Sequence, residues 1–361
     1  MPTLAQFYRG GLRLSAEPGT RFRYGNHGFA TLGQLVEDVS GQPLDRYFRE
    51  HIFDPLGMTS SDLTRTDSIA SRLATGYTLR SRGPRPVADR QMVTAGAASI
   101  YSTPADMARY IAALLGGGAN RHGSVLEPST VASMFAAQYQ PDPRLPVLGL
   151  AFFRVDVAGH HCVDHQGIHP GFDSQILLAP DDGVGVIAFT NGTRLGALWL
   201  PDEVSGLLRH ILGVPQEAIR RDVAQHPERW GELCGWYRLP GPLSDVRVRG
   251  MLGAGVEVFV RGGQLMLRAL TPLPPLYRGF PLRPDDPTDP DVFRIDLSKH
   301  GLGSLRVVFS RTPDTEARWV HLDMMPLSMA MQSPARNPRL WARGAVGGAA
   351  ATALALHRRR E

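Results

Sequence analysis

Two short stretches of this chain carry residue types suited to acyl chemistry. The first is Tyr24-Gly25-Asn26, set just ahead of a helical pattern. A tyrosine serves as general acid or base when nearby cations pull its pKa down from about 10. An asparagine two residues on offers a donor and an acceptor to a substrate amide or carbonyl. The same residues also have a plain structural use: Asn26 can cap the helix that follows, and Tyr24 can be a packed aromatic. The second stretch is "DHQGIHPGF", residues 164–172. Here His165, Gln166 and Gly167 would present an imidazole and bare backbone to a ligand, and the Ile168 N–H would be an oxyanion donor. The competing reading is a strand end with a glycine turn.

A metal site is a further alternative for this segment, because His160, His161, Cys162, Asp164, His165 and His169 are all ligand types. In a strand, His161, His165 and His169 share a face. Every fourth residue is about 13 Å apart at roughly 3.3 Å per residue, which is long for one ion unless the strand bends. The expectation is therefore no metal, with a metal-dependent hydrolase using His161 and His165 as the minor alternative.

The elements that must position these groups follow from periodicity. Residues 27–40 read as a helix with Phe29, Leu32, Leu35, Val36 and Val39 on one face and Gly41 as its stop. A second helix starts from Pro43, with Leu44, Tyr47, Phe48 and Ile52 apolar. Residues 59–92 read as polar and irregular. Thr103, Pro104 and Asp106 form a helix start, followed by a stripe of Met107, Tyr110, Ile111 and Leu114. A short helix is expected near Pro128.

From about residue 147 the period changes to two. "VLGLAFFRVDV", "HHCVDHQGI", "DSQILLAP" and "GVGVIAFTN" read as strands, the last two joined through Pro180-Asp181-Asp182-Gly183. Residues 201–212 are helical again. This order is an α+β pattern, helices packed on an antiparallel sheet. After a polar connection at 214–229, seven segments ("GWYRL", "VRVRGM", "VEVFVRG", "QLMLRAL", "DVFRIDL", "SLRVVFS", "ARWVHLDMM") suggest a small β-barrel or sandwich over 230–332. The expected division is a domain at 1–213, the linker, the β domain, and an Ala/Gly/Arg-rich tail at 333–361.

Composition narrows the function classes. Hydrophobic residues are 43% and charged residues 20%, an ordinary globular balance. The net charge of +5 rests on scattered arginines, the densest being Arg80, Arg82, Arg85 and Arg90 in a Gly/Pro stretch, so nucleic acid is not an expected partner. The two cysteines, Cys162 and Cys234, read as buried free thiols. No secretory signal opens the chain. "GAVGGAAATALAL", residues 344–356, is too short as a helix for a bilayer core of roughly 30 Å, which leaves at most a weak membrane-surface contact for the tail.

Taken together, "PGTRFRYGNHGFATLGQLVEDVSGQPLDRYFREHIFDPLGMTSSDL", "AGAASIYSTPADMARYI", "LGLAFF" and "DHQGIHPGFDSQILLAPDDGVGVIAFTNG" resemble, in order over residues 17–192, the β-lactamase-related serine hydrolases. That family includes class C β-lactamases, D-alanyl-D-alanine carboxypeptidases and related esterases. The strand-rich remainder resembles the lipocalin-like domain often appended to them. The resemblance implies a transpeptidase-like fold, acyl-enzyme hydrolysis of a small ester or amide, and no cofactor. Tyr24 would share the proton work, Asn26 would contact the substrate, and the His165-Gln166-Gly167 strand would bind it, with the Ile168 N–H as half of the oxyanion hole. Intact members are often exported.

One departure is decisive for activity. The family's nucleophile sits in S-x-x-K, and the lysine here is Lys299 alone, with Asp296 three residues before it and within the expected β domain. The chain therefore reads as a member lacking the N-terminal part that carries the nucleophile. Tyr24 is then expected to stay neutral near pH 7 and the chain to be inactive, with sheet edge and apolar faces left open. A non-catalytic ligand- or partner-binding protein on the same fold is the alternative.

Overall fold

Residues 153–190 fold as the antiparallel sheet that their alternation predicts. The computed structural model describes residues 3–12, 14, 16–145, 148–193, 199–216, 218–241, 246–300, 303–312, 316–323 and 327–339. It divides into two units, Met1–Glu217 with Ser298–Gly303, and Ala218–Leu297 with Ser304–Glu361. Lys299 thus groups with the first unit and not with the β domain, as its position in the sequence had suggested.

In the first unit the helices are α1 (Leu4–Phe7), α2 (Asn26–Ser40), α3 (Leu44–Phe48), α4 (Asp67–Ala70), α5 (Pro104–Leu115), α6 (Pro128–Phe135) and α7 (Trp199–Leu212). The strands are β1 (Gly76–Arg80), β2 (Gly83–Val87), β3 (Phe153–Val157), β4 (His160–His169), β5 (Phe172–Ala179), β6 (Val184–Thr190) and β7 (Gly192–Thr193). Strands β3-β4-β5-β6 form one sheet in sequence order, every pair antiparallel. Successive side chains alternate between its faces. Val163 and Leu178 pack with Ile111 and Leu114 of α5, while Cys162, Leu177 and Ala179 pack with Leu200, Val204 and Leu208 of α7. Helices therefore cover both faces, which is why these strands are apolar at consecutive positions.

Two segments depart from the sequence reading. Residues 59–92, expected to be irregular, contain α4 and the β1–β2 hairpin, and β1 pairs in parallel with β7. Pro84 and Pro86 disguise β2; they are tolerated because it is an edge strand. Helix α2 ends at Gly41 in the left-handed region (φ 69°), as expected. Its apolar stripe, however, faces outward: Phe29, Leu32, Leu35 and Val39 are 43, 53, 54 and 80% exposed. The buried positions are Ala30 and Gly33. A Cβ at Gly33 would stand 3.0 Å from Gly96 Cα and from the Leu44 side chain, so absence of a side chain lets the backbones approach.

The second unit is built on nine strands: β8 (Gly235–Arg238), β9 (Val256–Arg261), β10 (Gln264–Ala269), β11 (Phe280–Pro281), β12 (Arg283–Pro284), β13 (Val292–Asp296), β14 (Ser304–Arg311), β15 (Arg318–Leu322) and β16 (Leu327–Gln332). Their order is β11-β10-β9-β8-β16-β15-β14-β13-β12, antiparallel throughout. The outermost strands, β11 and β12, are separated in sequence by Leu282 alone, so the sheet is nearly closed and barrel-like. Buried His321 is satisfied from both sides, by Ser310 at 2.7 Å and Ser328 at 2.8 Å on the neighbouring strands. "VRVRGM", read as a strand, belongs to a helix, Val246–Leu252. Val248 and Leu252 are buried at i,i+4, a spacing that V-R-V-R alternation masks.

Cys162 and Cys234 are both free, as expected; Cys162 is also buried, whereas Cys234, expected to be buried too, is only half-buried. Among the described residues no helix is long and apolar enough to cross a membrane. The 344–356 tail lies outside the described residues.

Three substitutions test this fold. Ala151 holds φ 63°, a conformation unfavourable for a residue with a Cβ. Ala151→Gly should raise stability in urea unfolding by roughly 0.5 kcal/mol, the relief being partly offset by the freer unfolded chain. Val39→Ser should change stability by less than about 0.5 kcal/mol, whereas Gly33→Val should cost about 1–3 kcal/mol by overpacking. A large loss at Val39 would show that the stripe is a core face.

Candidate active site

Tyr24 stands at the end of an extended segment, one residue before the N-cap of α2. Gly25 occupies the cap in β conformation without a side-chain bond, and Asn26 is the first helical residue. Asn26 is therefore not the cap, and the residue is half-buried. Opposite lies β4. It pairs with β5 along its length, His165 facing Ile176, Gln166 facing Gln175, Gly167 facing Ser174 and Ile168 facing Asp173. On its other side β3 reaches only as far as Asp164. Among the described residues no strand pairs with that edge from His165 to His169. Ile168 is 45% exposed there.

The structure brings Tyr24 and His165 into one cluster through a residue the sequence reading passed over. Phe153, the first residue of β3, lies 6.5 Å from the Tyr24 ring, nearly parallel at 19°, and 6.1 Å from the His165 imidazole. Phe22 meets Phe153 edge-on at 6.3 Å and Tyr139 at 6.4 Å. Phe153 had been read only as part of the "LGLAFF" strand. The available signal was its place at the start of β3, where the strand leaves β4 uncovered.

The electrostatics of β4 and β5 favour neutral forms. Burial lowers the His165 pKa below its ordinary 6.5, partly offset by a hydrogen bond to the Gln166 backbone. Burial raises Asp164 to about 7, opposed by the hydrogen bond from Gln175 Nε2 at 2.8 Å. Asp173 is 1% exposed, neither carboxyl oxygen has a hydrogen-bond partner among the described residues, and burial raises it to about 6. At Gly167 a Cβ would run into the Ser174 hydroxyl, so glycine is what lets Ser174 sit over the strand.

Other motif residues hold the frame. Thr103 caps α5 by accepting from the Asp106 N–H at 3.2 Å. Buried Asp106 accepts from Ser60 N at 2.7 Å and Ser61 Oγ at 2.9 Å, and it pairs with Arg109 at 2.6 Å. The "STPAD" segment thus ties a loop to a helix start.

The histidines of 160–169 go separate ways. His160 bonds Asp182 at 2.8 Å, exposed His161 lies 3.8 Å from Asp181, His165 lies by Phe153, and His169 Nδ1 is buried without a partner. Among the described residues no three His, Cys, Asp or Glu side chains are grouped to hold one metal ion.

Comparison with known proteins matches this frame. The Beta-lactamase family model matches residues 5–203, more than half of the chain, and the chain belongs to that family. It is 31% identical over 193 residues to an unguisins hydrolase of Aspergillus campestris, covering 50% of this chain and 35% of that one. It is 32% identical over 99 residues to the D-alanyl-D-alanine-carboxypeptidase/endopeptidase AmpH of Escherichia coli, 27% of this chain and 24% of that one. Penicillin-binding protein 4 of Amycolatopsis lactamdurans is 26% identical over 235 residues, 62% and 61% of the two chains. The first three curated relatives are covered over 35, 50 and 40% of their lengths, so the chain spans half or less of each. The crystal structure of SurE shares the fold at TM-score 0.56 and 18% identity, over 92% of this chain and 74% of that one. The fold and relatives are those of a β-lactamase-related hydrolase family.

The buried carboxyls set a pH dependence. An unfolded Asp titrates near 4, so between pH 4 and 7 the folded chain holds a proton on Asp164 that the unfolded chain has lost. Its contribution is full below pH 4 and lost as pH rises through 7; Asp173 acts likewise up to about 6. His165 acts oppositely, its contribution being lost as pH falls through 6.5 and below. Asp164→Asn keeps the acceptor for Gln175. It should stabilise by about 1–3 kcal/mol at pH 8 and by nothing at pH 4, read from urea midpoints.

Proposed function

We propose that this chain carries the substrate-binding side of a serine hydrolase site acting on small esters or amides through an acyl-enzyme. Tyr24 would move the proton of the leaving group, Asn26 would hold the substrate's polar chain, and His165, Gln166 and Gly167 would line it up along the open edge of β4, with the Ile168 N–H on the oxyanion. The observation that carries this reading is the meeting of the two motif residues, Tyr24 and His165, on Phe153. Relatives named as a hydrolase and a carboxypeptidase support the reaction class. An ester is favoured over a β-lactam or a peptide carboxylate. An anionic substrate gains most from a fixed cation, and an imidazole held toward neutrality by burial supplies none. The nearly closed antiparallel sheet of the second unit supports a lipocalin-like module there.

The 361 residues contain no S-x-x-K pair, and removing a nucleophile costs orders of magnitude that the remaining groups do not restore. As given, the chain should bind substrate without forming an acyl-enzyme. A fluorophosphonate probe should leave it unlabelled, and p-nitrophenyl acetate should be cleaved no faster than by the Tyr24→Phe variant. Labelling of any serine, or esterase activity that Tyr24→Phe removes, would overturn this reading.

A further inference from the structure

We infer that the site selects substrates with an aromatic side group, which Phe153, Phe22 and Tyr139 receive beside Tyr24 and His165. This rests on the reading of Tyr24, Asn26 and β4 as a substrate site and names the substrate class it takes.

The first support is how the rings are disposed. Phe22, Tyr24, Tyr139, Phe153 and His165 form a connected set with centroid separations of 6.1–6.5 Å. All five are only half-buried. Aromatic rings in a core usually lose most of their exposed area to neighbours. These keep open surface while already arranged at the stacked and edge-on separations that aromatic pairs prefer. An incoming phenyl ring would extend the set in the same geometry.

The second support is location. Phe153 contacts both Tyr24 and His165, so a substrate held between those residues must lie against its ring. Bridges from Tyr139 to Leu148 and from Leu148 to Phe153 fix the backbone on which Phe153 and Tyr139 stand. Phe153 and Tyr139 are thus tied to the sheet's frame, which lowers the ordering cost of binding against them.

The third support is charge. None of the five rings carries a fixed charge, and burial disfavours the protonated form of His165. A neutral aromatic group gains contact with such rings.

The test uses the full 361-residue chain and compares N-acetyl-phenylalanine amide with N-acetyl-alanine amide by calorimetric titration. The phenylalanine compound should bind at least about tenfold more tightly. Phe153→Leu, which keeps an apolar side chain but removes the ring, should bring that ratio down to about twofold. Phe22→Leu should lower it by a smaller factor, and thermal melts would check that both variants fold. Asn26→Ala should weaken both compounds equally and keep the ratio. Equal binding of the two compounds, both weakened by Asn26→Ala, would overturn the aromatic preference and leave the site reading standing. A preference that survives intact in both ring variants would overturn it as well. Failure of both compounds to bind would overturn the site reading and the inference together.

Discussion

The register between β4 and β5 is the constraint on which the first unit depends. Seven consecutive pairs, from Val163–Leu178 to His169–Phe172, fix which face every side chain meets. A slip of one residue in β4 would turn Val163 toward α7 and Cys162 toward α5, and it would move His165 and Gly167 together off the face they share with Ser174. The apolar half of the ladder is held by α5 and α7. The polar half is then delivered to the open edge beyond β3 without contributing much to the core itself. Catalytic-type residues ride on a register that hydrophobic burial pays for elsewhere.

That division explains the unfavourable features. Among the described residues, buried Asp173 has no hydrogen-bond partner, Asp164 has one amide, and Gln175 Oε1 has none. Groups of this kind reduce stability near neutral pH unless they remain protonated. They lie along β4 and β5 next to the His165–Ile168 segment, whereas the distal ends of the same strands are packed with Val, Leu and Ala. Polar strain and apolar packing are segregated along one pair of strands.

Much of this was legible in the chain. The period-two run at 153–190, the Thr103-Pro104 helix start and the Gly41 stop each follow from a local rule that tertiary contacts did not override. The candidate motifs Y-x-N and H-x-G could be picked out for the same reason, since each is contiguous. What escaped was non-local or ambiguous in period. The prolines hid β2, whose identity as an edge strand depends on β1 pairing with β7 more than a hundred residues away. V-R-V-R read as a strand although its two buried residues are one helical turn apart. The α2 stripe reads as an inward face, but hydrophobic periodicity reports amphipathicity and not what the face meets. The close approach of Gly33 to Gly96 and Leu44 decided the orientation instead.

The sequence by itself determined the family and the main helices and strands of residues 27–40 and 153–190, and it singled out the candidate motif residues, because each is written in adjacent residues or in a short period. It also determined that no serine–lysine pair of the family's kind is present in these 361 residues. Only the tertiary structure decided that Phe153 joins Tyr24 to His165, that Phe22 and Tyr139 complete the ring set, and that β3 stops pairing with β4 at Asp164. Those facts depend on where β3 begins against β4 and on how the segment before α2 crosses it. Long-range contacts of this sort are set by packing free energy over many residues, and no window of neighbouring residues encodes them.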